Sequence, residues 1–389
     1  MAARDPVIVG VAETPLVDGK VADGASALQI QAWAAKAALA EAGLGIGDVD
    51  GLLVAGAWGV PRPGNMAAVQ MAEYLGLTPR FTDNTNAGGS SFEMHVAHAA
   101  LAIGQGYCDV ALILYGSTQR SERSRSQGGR PTLFSLQYEV PWGLPLPLGA
   151  YAMAAGRHMH EYGTTSAQLA EIAVAARAWA GLNPAAMMRE PLTVDEVLAS
   201  PMIADPLRLR DCCLVTDGGG AIVMTSAERA RDLATPPVRV LGFGESMTHI
   251  TIGAMPDLAH LTSAAAAGKR AFATAGVGPA DIDVALIYDS FTITVLMTLE
   301  ALGFCGPGEG GAFVEGGRTG PGGDFPMNTN GGGLSYAHPG MYGIFLLIEA
   351  TRQLRGECGP RQVADAKLAL AHGTGGTLSS GATCILARE

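Results

Sequence analysis

Short apolar runs alternate with longer stretches of helical spacing along this chain. Val7–Val11 is a continuous apolar run and reads as a buried strand. Ser26–Ala42 is Ala-rich with helical spacing and stops at Gly43, a residue that suits a left-handed cap. Asp50–Ala55 predicts a second strand and Met66–Leu75 a second helix. Phe92–Ile103 predicts a helix that runs into the strand Val110–Tyr115. Strands alternating with helices predict an α/β fold. From Ser117 to about Pro206 the texture changes: an Arg/Ser/Gly stretch, then the Pro-rich Pro141–Pro147, then a helical Ser166–Leu182. This stretch reads as an insertion, after which Ala221–Thr225 returns to the core as a strand. The expected units are 1–118 and 206–235 for a first half, 119–205 for an inserted loop subdomain and 236–389 for a second half.

The same pattern occurs twice. Ala42-Gly-Leu-Gly-Ile-Gly-Asp-Val-Asp50 matches Ala275-Gly-Val-Gly-Pro-Ala-Asp-Ile-Asp283, each followed by an apolar strand. Asn84-Thr-Asn-Ala-Gly-Gly-Ser-Ser-Phe92 matches Asn328-Thr-Asn-Gly-Gly-Gly-Leu-Ser-Tyr336, and Tyr74–Leu77 matches Ala301–Phe304 between them. Three matches in one order predict a tandem duplication of one α/β unit. Each Asn-Thr-Asn-x-Gly-Gly turn precedes a helical stretch, where its amides would form a seat for a negative oxygen. The two turns are expected to approach each other across a pseudo-twofold axis.

Composition narrows the chemistry. The chain has 389 residues, 48% of them hydrophobic and only 16% charged, enough for a large core. Its 53 glycines are nearly twice the usual share of about 7%, and they gather in short runs rather than in a period. A net charge of −11 argues against a nucleic-acid surface or a polybasic membrane patch, so an anionic substrate would need a local basic pocket. Arg120, Arg123, Arg125 and Arg130 supply such a cluster, suited to nucleotide phosphates, to a solvated loop or to a dimer-face patch. Six cysteines without CxxC spacing suggest thiols of a reducing compartment. No run reaches the ~18 apolar residues of a membrane helix, so a soluble, cytoplasmic protein is expected. His158 and His160 face different sides of a helix, so no metal site is expected.

The segment Gly331-Gly-Gly-Leu-Ser-Tyr-Ala-His-Pro-Gly340 resembles the thiolase superfamily, in particular its lipid-transfer, sterol-carrier-protein-type branch. Tyr288-Asp-Ser-Phe291 stands where thiolases carry Asn-Glu-Ala-Phe. Asp211–Gly219 resembles the family's return strand, and Ala371-His-Gly-Thr-Gly-Gly376 its Cys-x-Gly-x-Gly segment. The resemblance spans the chain and implies a duplicated, layered αβαβα thiolase-like fold with an inserted loop subdomain.

The departures from the family pattern bear on the reaction. Gly89, with Ser90 beside it, occupies the position of the family's acyl-accepting cysteine, and no cysteine occurs between Met1 and Tyr107. The second catalytic cysteine is replaced by Ala371 or, one register later, His372, and the Asn of Asn-Glu-Ala-Phe by Tyr288. An acyl-cysteine cycle is therefore not expected. The retained His338, with Tyr288 and Tyr336, suits retro-aldol chemistry on a β-hydroxyacyl thioester. In this reading a tyrosine is the base, His338 the polariser, and the amides of Gly89, Ser90, Gly332, Gly333 and Gly375 the oxyanion site. Coenzyme A thioester enters as substrate, with no bound cofactor. Apolar Pro141–Met153, with Trp142, Leu144 and Leu146, is a candidate acyl-pocket wall or a packing plug. The resemblance further implies a homodimer and a small zinc-ribbon/OB-fold partner, as in aldolases of steroid side-chain degradation. Acyl transfer through Ser90 and a non-catalytic acyl-CoA-binding scaffold are the alternatives.

Overall fold

A computed structural model describes residues 4–22, 24–58, 66–122, 138–145 and 147–389. The first half contains β1 (Pro6–Glu13), α1 (Ala27–Ala42), β2 (Gly51–Trp58), α2 (Ala67–Leu75), β3 (Phe81–Asp83), α3 (Ser91–Gly104) and β4 (Val110–Ser117). Next come α4 (Leu148–Tyr162), α5 (Ser166–Gly181), α6 (Val194–Leu198) and a small hairpin, β5 (Met202–Ala204) with β6 (Leu207–Arg208). The chain returns through β7 (Gly218–Ser226) and α7 (Ala227–Ala230). It then repeats the unit as β8 (Val238–Met247), α8 (Thr262–Ala275), β9 (Val284–Ile287), α9 (Thr292–Ala301), α10 (Gly310–Val314), α11 (Gly343–Arg355), β10 (Leu368–Gly375) and β11 (Ser380–Arg388).

The strands join into one nine-stranded ladder in the order β3-β2-β4-β7-β1-β8-β11-β10-β9. The halves meet where β1 pairs antiparallel with β8, through Val7↔Arg239 and Ile8↔Val238. Outer helices α1 and α2 cover the first half, and α8 the second. Between them run α3 and α11, which pack on each other and on strands of both halves. Helix α3 is buried from Ser91 to Val96 without a solvent face, as a helix enclosed between the strands of both halves must be. Its Phe92, Val96 and Ile103 join Ile344, Leu347 and Ile348 of α11 in one apolar cluster.

The duplication extends to individual hydrogen bonds. Helices α1 and α8 both end on a left-handed glycine, Gly43 and Gly276. The Asp48 carboxylate then accepts from Gly45 N at 2.9 Å, and the Asp281 carboxylate from Gly278 N at 2.7 Å. Asp50 accepts from Asp109 N and Val110 N at the start of β4. Asp283 accepts from Lys367 N and Leu368 N at the start of β10. Each aspartate thereby clamps two parallel strands in register.

One expectation changes. The first Asn-Thr-Asn turn runs directly into α3, but the second opens only a single wide turn, Gly332–Tyr336, and α11 starts at Gly343. It is this later start, not the second glycine turn, that meets the first turn: a Cβ built on Gly343 would lie 2.2 Å from Gly89 O.

The central layer also holds a buried acid. Neither carboxyl oxygen of Glu93, in the first turn of α3, has a hydrogen-bond partner among the described residues. The carboxyl fills space left by two glycines, since a Cβ on Gly343 or Gly373 would come within 2.6 or 2.1 Å of Glu93 Oε2. Burial pushes this carboxyl up to about 8. The folded protein therefore keeps the Glu93 proton that the unfolded chain releases above pH 4.5, and stability falls as pH rises from there towards 8. Glu93→Gln should raise chemical-denaturation stability at pH 7–8 by about 1–3 kcal/mol, with the gain shrinking towards pH 5. An equal gain at both pH values would contradict a buried neutral acid.

Candidate active site

The first glycine turn is fixed from below. Asp83, at the end of β3, accepts from Thr85 N and Thr85 Oγ1, both at 2.7 Å. Asn86 Oδ1 accepts from Gly88 N at 3.2 Å, and Ser91 Oγ accepts from Ala87 N at 2.9 Å while donating to Gly88 O at 2.6 Å. Gly88 has φ +75°, which glycine adopts without strain. At Gly89 the constraint is space instead: a Cβ there would sit 2.1 Å from Tyr288 Cε2 and 2.5 Å from Thr374 O. The Tyr288 ring thus occupies the volume a side chain at position 89 would need.

Tyr288 follows β9, its amide donating to His372 O of β10 at 3.0 Å. Its hydroxyl lies 3.0 Å from His338 Nε2, and the two rings are perpendicular with centroids 5.6 Å apart. His338 stacks on Tyr342 at 6.0 Å and 19°, and Tyr342 meets Tyr288 edge-on at 6.0 Å. The backbone around His338 is held firmly. His338 N donates to Thr216 Oγ1 at 3.0 Å, Tyr115 Oη donates to Pro339 O, and Met341 N donates to Tyr115 Oη at 3.1 Å. Tyr342 Oη donates to Asn330 Oδ1 at 3.0 Å, and burial holds this phenol well above its ordinary range.

The remaining expected residues fall in different places. Tyr336 belongs to the preceding turn, with its ring against Phe345 and its surroundings including Glu13 and Arg352. Burial first, then the Glu13 carboxylate, keeps its phenol well above the usual range. It is not brought to the Tyr288–His338 pair.

The amides expected at the second glycine turn are already engaged. Gly332 N donates to Asn330 Oδ1 at 2.9 Å, and Gly333 N and Leu334 N donate to the Asp289 carboxyl at 2.6 and 3.1 Å. Burial pushes Asp289 up to about 7 despite those donors. The first turn instead abuts the end of β10, where a Cβ on Gly88 would meet Gly375 Cα at 3.0 Å and Gly376 N at 2.6 Å. Gly88 and Gly375 are therefore neighbours, whereas the amides of Gly332 and Gly333 are held by Asn330 and Asp289.

The Ser90 hydroxyl points away into the core, bonded to Ser380 Oγ at 2.7 Å and Ala87 O at 3.2 Å. Neither partner is a base, so Ser90 has no relay for nucleophilic attack. Ala371 lies in the central apolar cluster, and His372, the next residue of β10, bonds Thr383 Oγ1 at 2.8 Å. Burial pushes His372 down to about 3. Arg120 Nη1 donates to Val215 O at 3.2 Å, while Arg123, Arg125 and Arg130 lie outside the described residues. Trp142 is 87% exposed, Leu144 packs in a small cluster with Ala150 and Ile252, and Leu146 lies outside the described residues. The same stretch does reach the site through Tyr151 of α4, whose ring lies 4.3 Å from that of Phe291 and whose hydroxyl donates to Gly376 O at 3.5 Å. His158 is a buried core histidine, bonded to Thr164 Oγ1 and Glu300 Oε2.

Comparison with known proteins bears on the family and the fold. Residues 244–388 match the family model described as Thiolase C-terminal domain-like. The 17-hydroxy-3-oxo-4-pregnene-20-carboxyl-CoA lyase of Mycobacterium tuberculosis is 36% identical over 92% of this chain and 93% of its own length. The chain belongs to the thiolase superfamily. Within it, this thiolase-like chain sits in the lipid-transfer branch. The acetyl-CoA acetyltransferase of Methanothermobacter thermautotrophicus is 33% identical over 99% of the chain and 100% of the relative. Among solved structures, the Ltp2-ChsH2(DUF35) aldolase superposes with a TM-score of 0.87 at 32% identity, covering 100% of this chain and 99% of that one. The layered, duplicated α/β fold is thus the thiolase fold.

Asn330 lies in the repeated Asn-Thr-Asn-x-Gly-Gly turn, whereas Tyr342, four residues after His338, carries no signal of its own in the sequence. If position 89 and the Tyr288 ring compete for one volume, Gly89→Ala should cost about 1–3 kcal/mol. In a Tyr288→Ala background the same substitution should cost less by about 1 kcal/mol or more. Additive costs in denaturant melts of the four proteins would show that the two positions do not compete.

Proposed function

We propose that this thiolase-fold chain is a carbon–carbon lyase that cleaves the Cα–Cβ bond of a β-hydroxyacyl-CoA thioester by a retro-aldol reaction. The observation that carries the reading is the Tyr288 ring in the space beside Gly89. It removes the position of a nucleophile and supplies, in its place, a phenol hydrogen-bonded to an imidazole. A phenol has an ordinary pKa near 10 and is a poor base alone. Paired with His338 it acts as a relay. Tyr288 takes the β-hydroxyl proton as it passes its own to His338 Nε2. The Cα–Cβ electron pair then moves onto the thioester as an enolate, and the β-oxygen becomes a carbonyl. Return of the proton from His338 through Tyr288 to Cα releases a shortened acyl-CoA and a ketone or aldehyde. Atoms and charge balance without a covalent enzyme intermediate.

Backbone at Gly89, beside the Tyr288 ring, and at the Gly375–Gly376 turn that adjoins Gly88 suits the enolate oxygen. Tyr342 donates a hydrogen bond to an amide oxygen, which is too weak a base to take the proton, so Tyr342 is not a second relay. Tyr336 is assigned a packing role. The names of the lyase and aldolase relatives support a bulky, steroid-like acyl substrate. The solved Ltp2-ChsH2(DUF35) aldolase is named for two components, which supports a small zinc-ribbon/OB-fold partner subunit for this chain. A homodimer is proposed from the family resemblance, and Arg120, Arg123, Arg125 and Arg130 remain its candidate contacts to the CoA phosphates. No helix among the described residues is long and apolar enough to cross a membrane, and a cytoplasmic site of action is proposed from the cysteine pattern.

Tyr288→Phe should lower kcat for β-hydroxyacyl-CoA cleavage by roughly 10²–10⁴-fold. Tyr336→Phe should stay within a few-fold of the parent. Unchanged turnover in Tyr288→Phe would end the proposal.

A further inference from the structure

Asn330 carries a buried donor that no described residue of the protein uses. Its side-chain oxygen accepts twice, from Gly332 N at 2.9 Å and from Tyr342 Oη at 3.0 Å. Both partners are donors, so the orientation of the amide is fixed and Nδ2 is the free end. The residue is 2% exposed, and Nδ2 has no acceptor among the described residues. Its backbone is equally constrained, since Asn183 Nδ2, from the chain just beyond α5, donates to Asn330 O at 2.9 Å. A rigid, buried N–H pair without an acceptor is costly unless something accepts from it in the working complex.

The location favours the substrate as that acceptor. Tyr342, whose hydroxyl holds Asn330 Oδ1, stacks on His338 and touches the edge of Tyr288. Asn330 therefore joins the relay pair through one aromatic ring. The nearby carboxyl, Asp289, is already engaged by Gly333 N and Leu334 N. Backbone at Gly89, against the Tyr288 ring, and at Gly375–Gly376, against Gly88, is suited to the thioester oxygen.

We infer that Asn330 Nδ2 donates to the β-oxygen of the substrate and holds it as it changes from hydroxyl to carbonyl. This assignment rests on the retro-aldol reading of the site. Two consequences follow for recognition. A ligand with an oxygen at Cβ is preferred over its deoxy analogue, and the preference resides in one amide group. The donor also stabilises the alkoxide character that develops once Tyr288 has taken the proton.

The test compares binding of two probes, a β-hydroxyacyl-CoA held at low temperature and the corresponding saturated acyl-CoA without the β-oxygen. Asn330→Asp retains the acceptor for Gly332 and Tyr342 but loses the donors, and Asn330→Ser serves as a second variant. Apo melting temperature monitors folding in both. The expected result is roughly tenfold weaker binding of the hydroxylated probe, with the deoxy probe unchanged. Equal weakening for both probes would place the donor on the thioester or make Asn330 purely structural, and would overturn the inference. Unchanged binding of both would mean that Nδ2 meets only water, and would overturn it too. Selective weakening in a protein that shows no cleavage would leave Asn330 as the β-oxygen ligand while removing the lyase reading itself.

Discussion

The contact between Gly89 and the ring of Tyr288 governs the rest of the site, because two groups cannot share the volume it defines. A Cβ at position 89 would stand 2.1 Å from the ring, far inside van der Waals contact. A residue that removes a nucleophile and a residue that adds a phenol are therefore two sides of one steric exchange. The phenol then needs a partner to move a proton, and His338 lies 3.0 Å away. The imidazole in turn needs a fixed backbone, which Thr216 and Tyr115 provide. Each layer of support follows from the one inside it.

The duplicated fold explains how residues so distant in sequence meet. Asp50 and Asp283 clamp equivalent strands in the two halves, and the helices that follow, α3 and α11, pack against each other between the halves. Small residues are required wherever these elements cross. Gly343 approaches Gly89 O, and Gly343 with Gly373 leaves room for the Glu93 carboxyl. A neutral acid with no hydrogen-bond partner among the described residues costs stability as pH rises, so the central packing is not optimised for stability alone.

Much of the fold was legible because its signals are local. Gly43 and Gly276 end helices, and the repeated Gly-Asp turns precede strands, so the duplication appears in the residue pattern itself. His338, Tyr288 and Gly89 were legible by position within family-like motifs. The choice between Tyr288 and Tyr336 was not. Ala337 is extended between the single turn and the His338 segment, and that break sends Tyr336 towards Glu13 and Arg352. Nor could a linear reading reveal that Asp289 and Asn330 already satisfy the amides of Gly332 and Gly333. Such acceptors are set by tertiary neighbours rather than by spacing. Ser90 looked available for the same reason, until Ser380, 290 residues away, proved to hold its hydroxyl.

The central claim is that bond cleavage proceeds through the Tyr288–His338 relay with no acyl group carried on the protein. Intact-mass spectrometry of the wild-type protein during turnover of a β-hydroxyacyl-CoA tests it most directly. The account predicts the shortened acyl-CoA and a carbonyl product in equal amounts, with the protein mass unchanged throughout. A protein species heavier by one acyl group, formed and consumed at the rate of turnover, would contradict it.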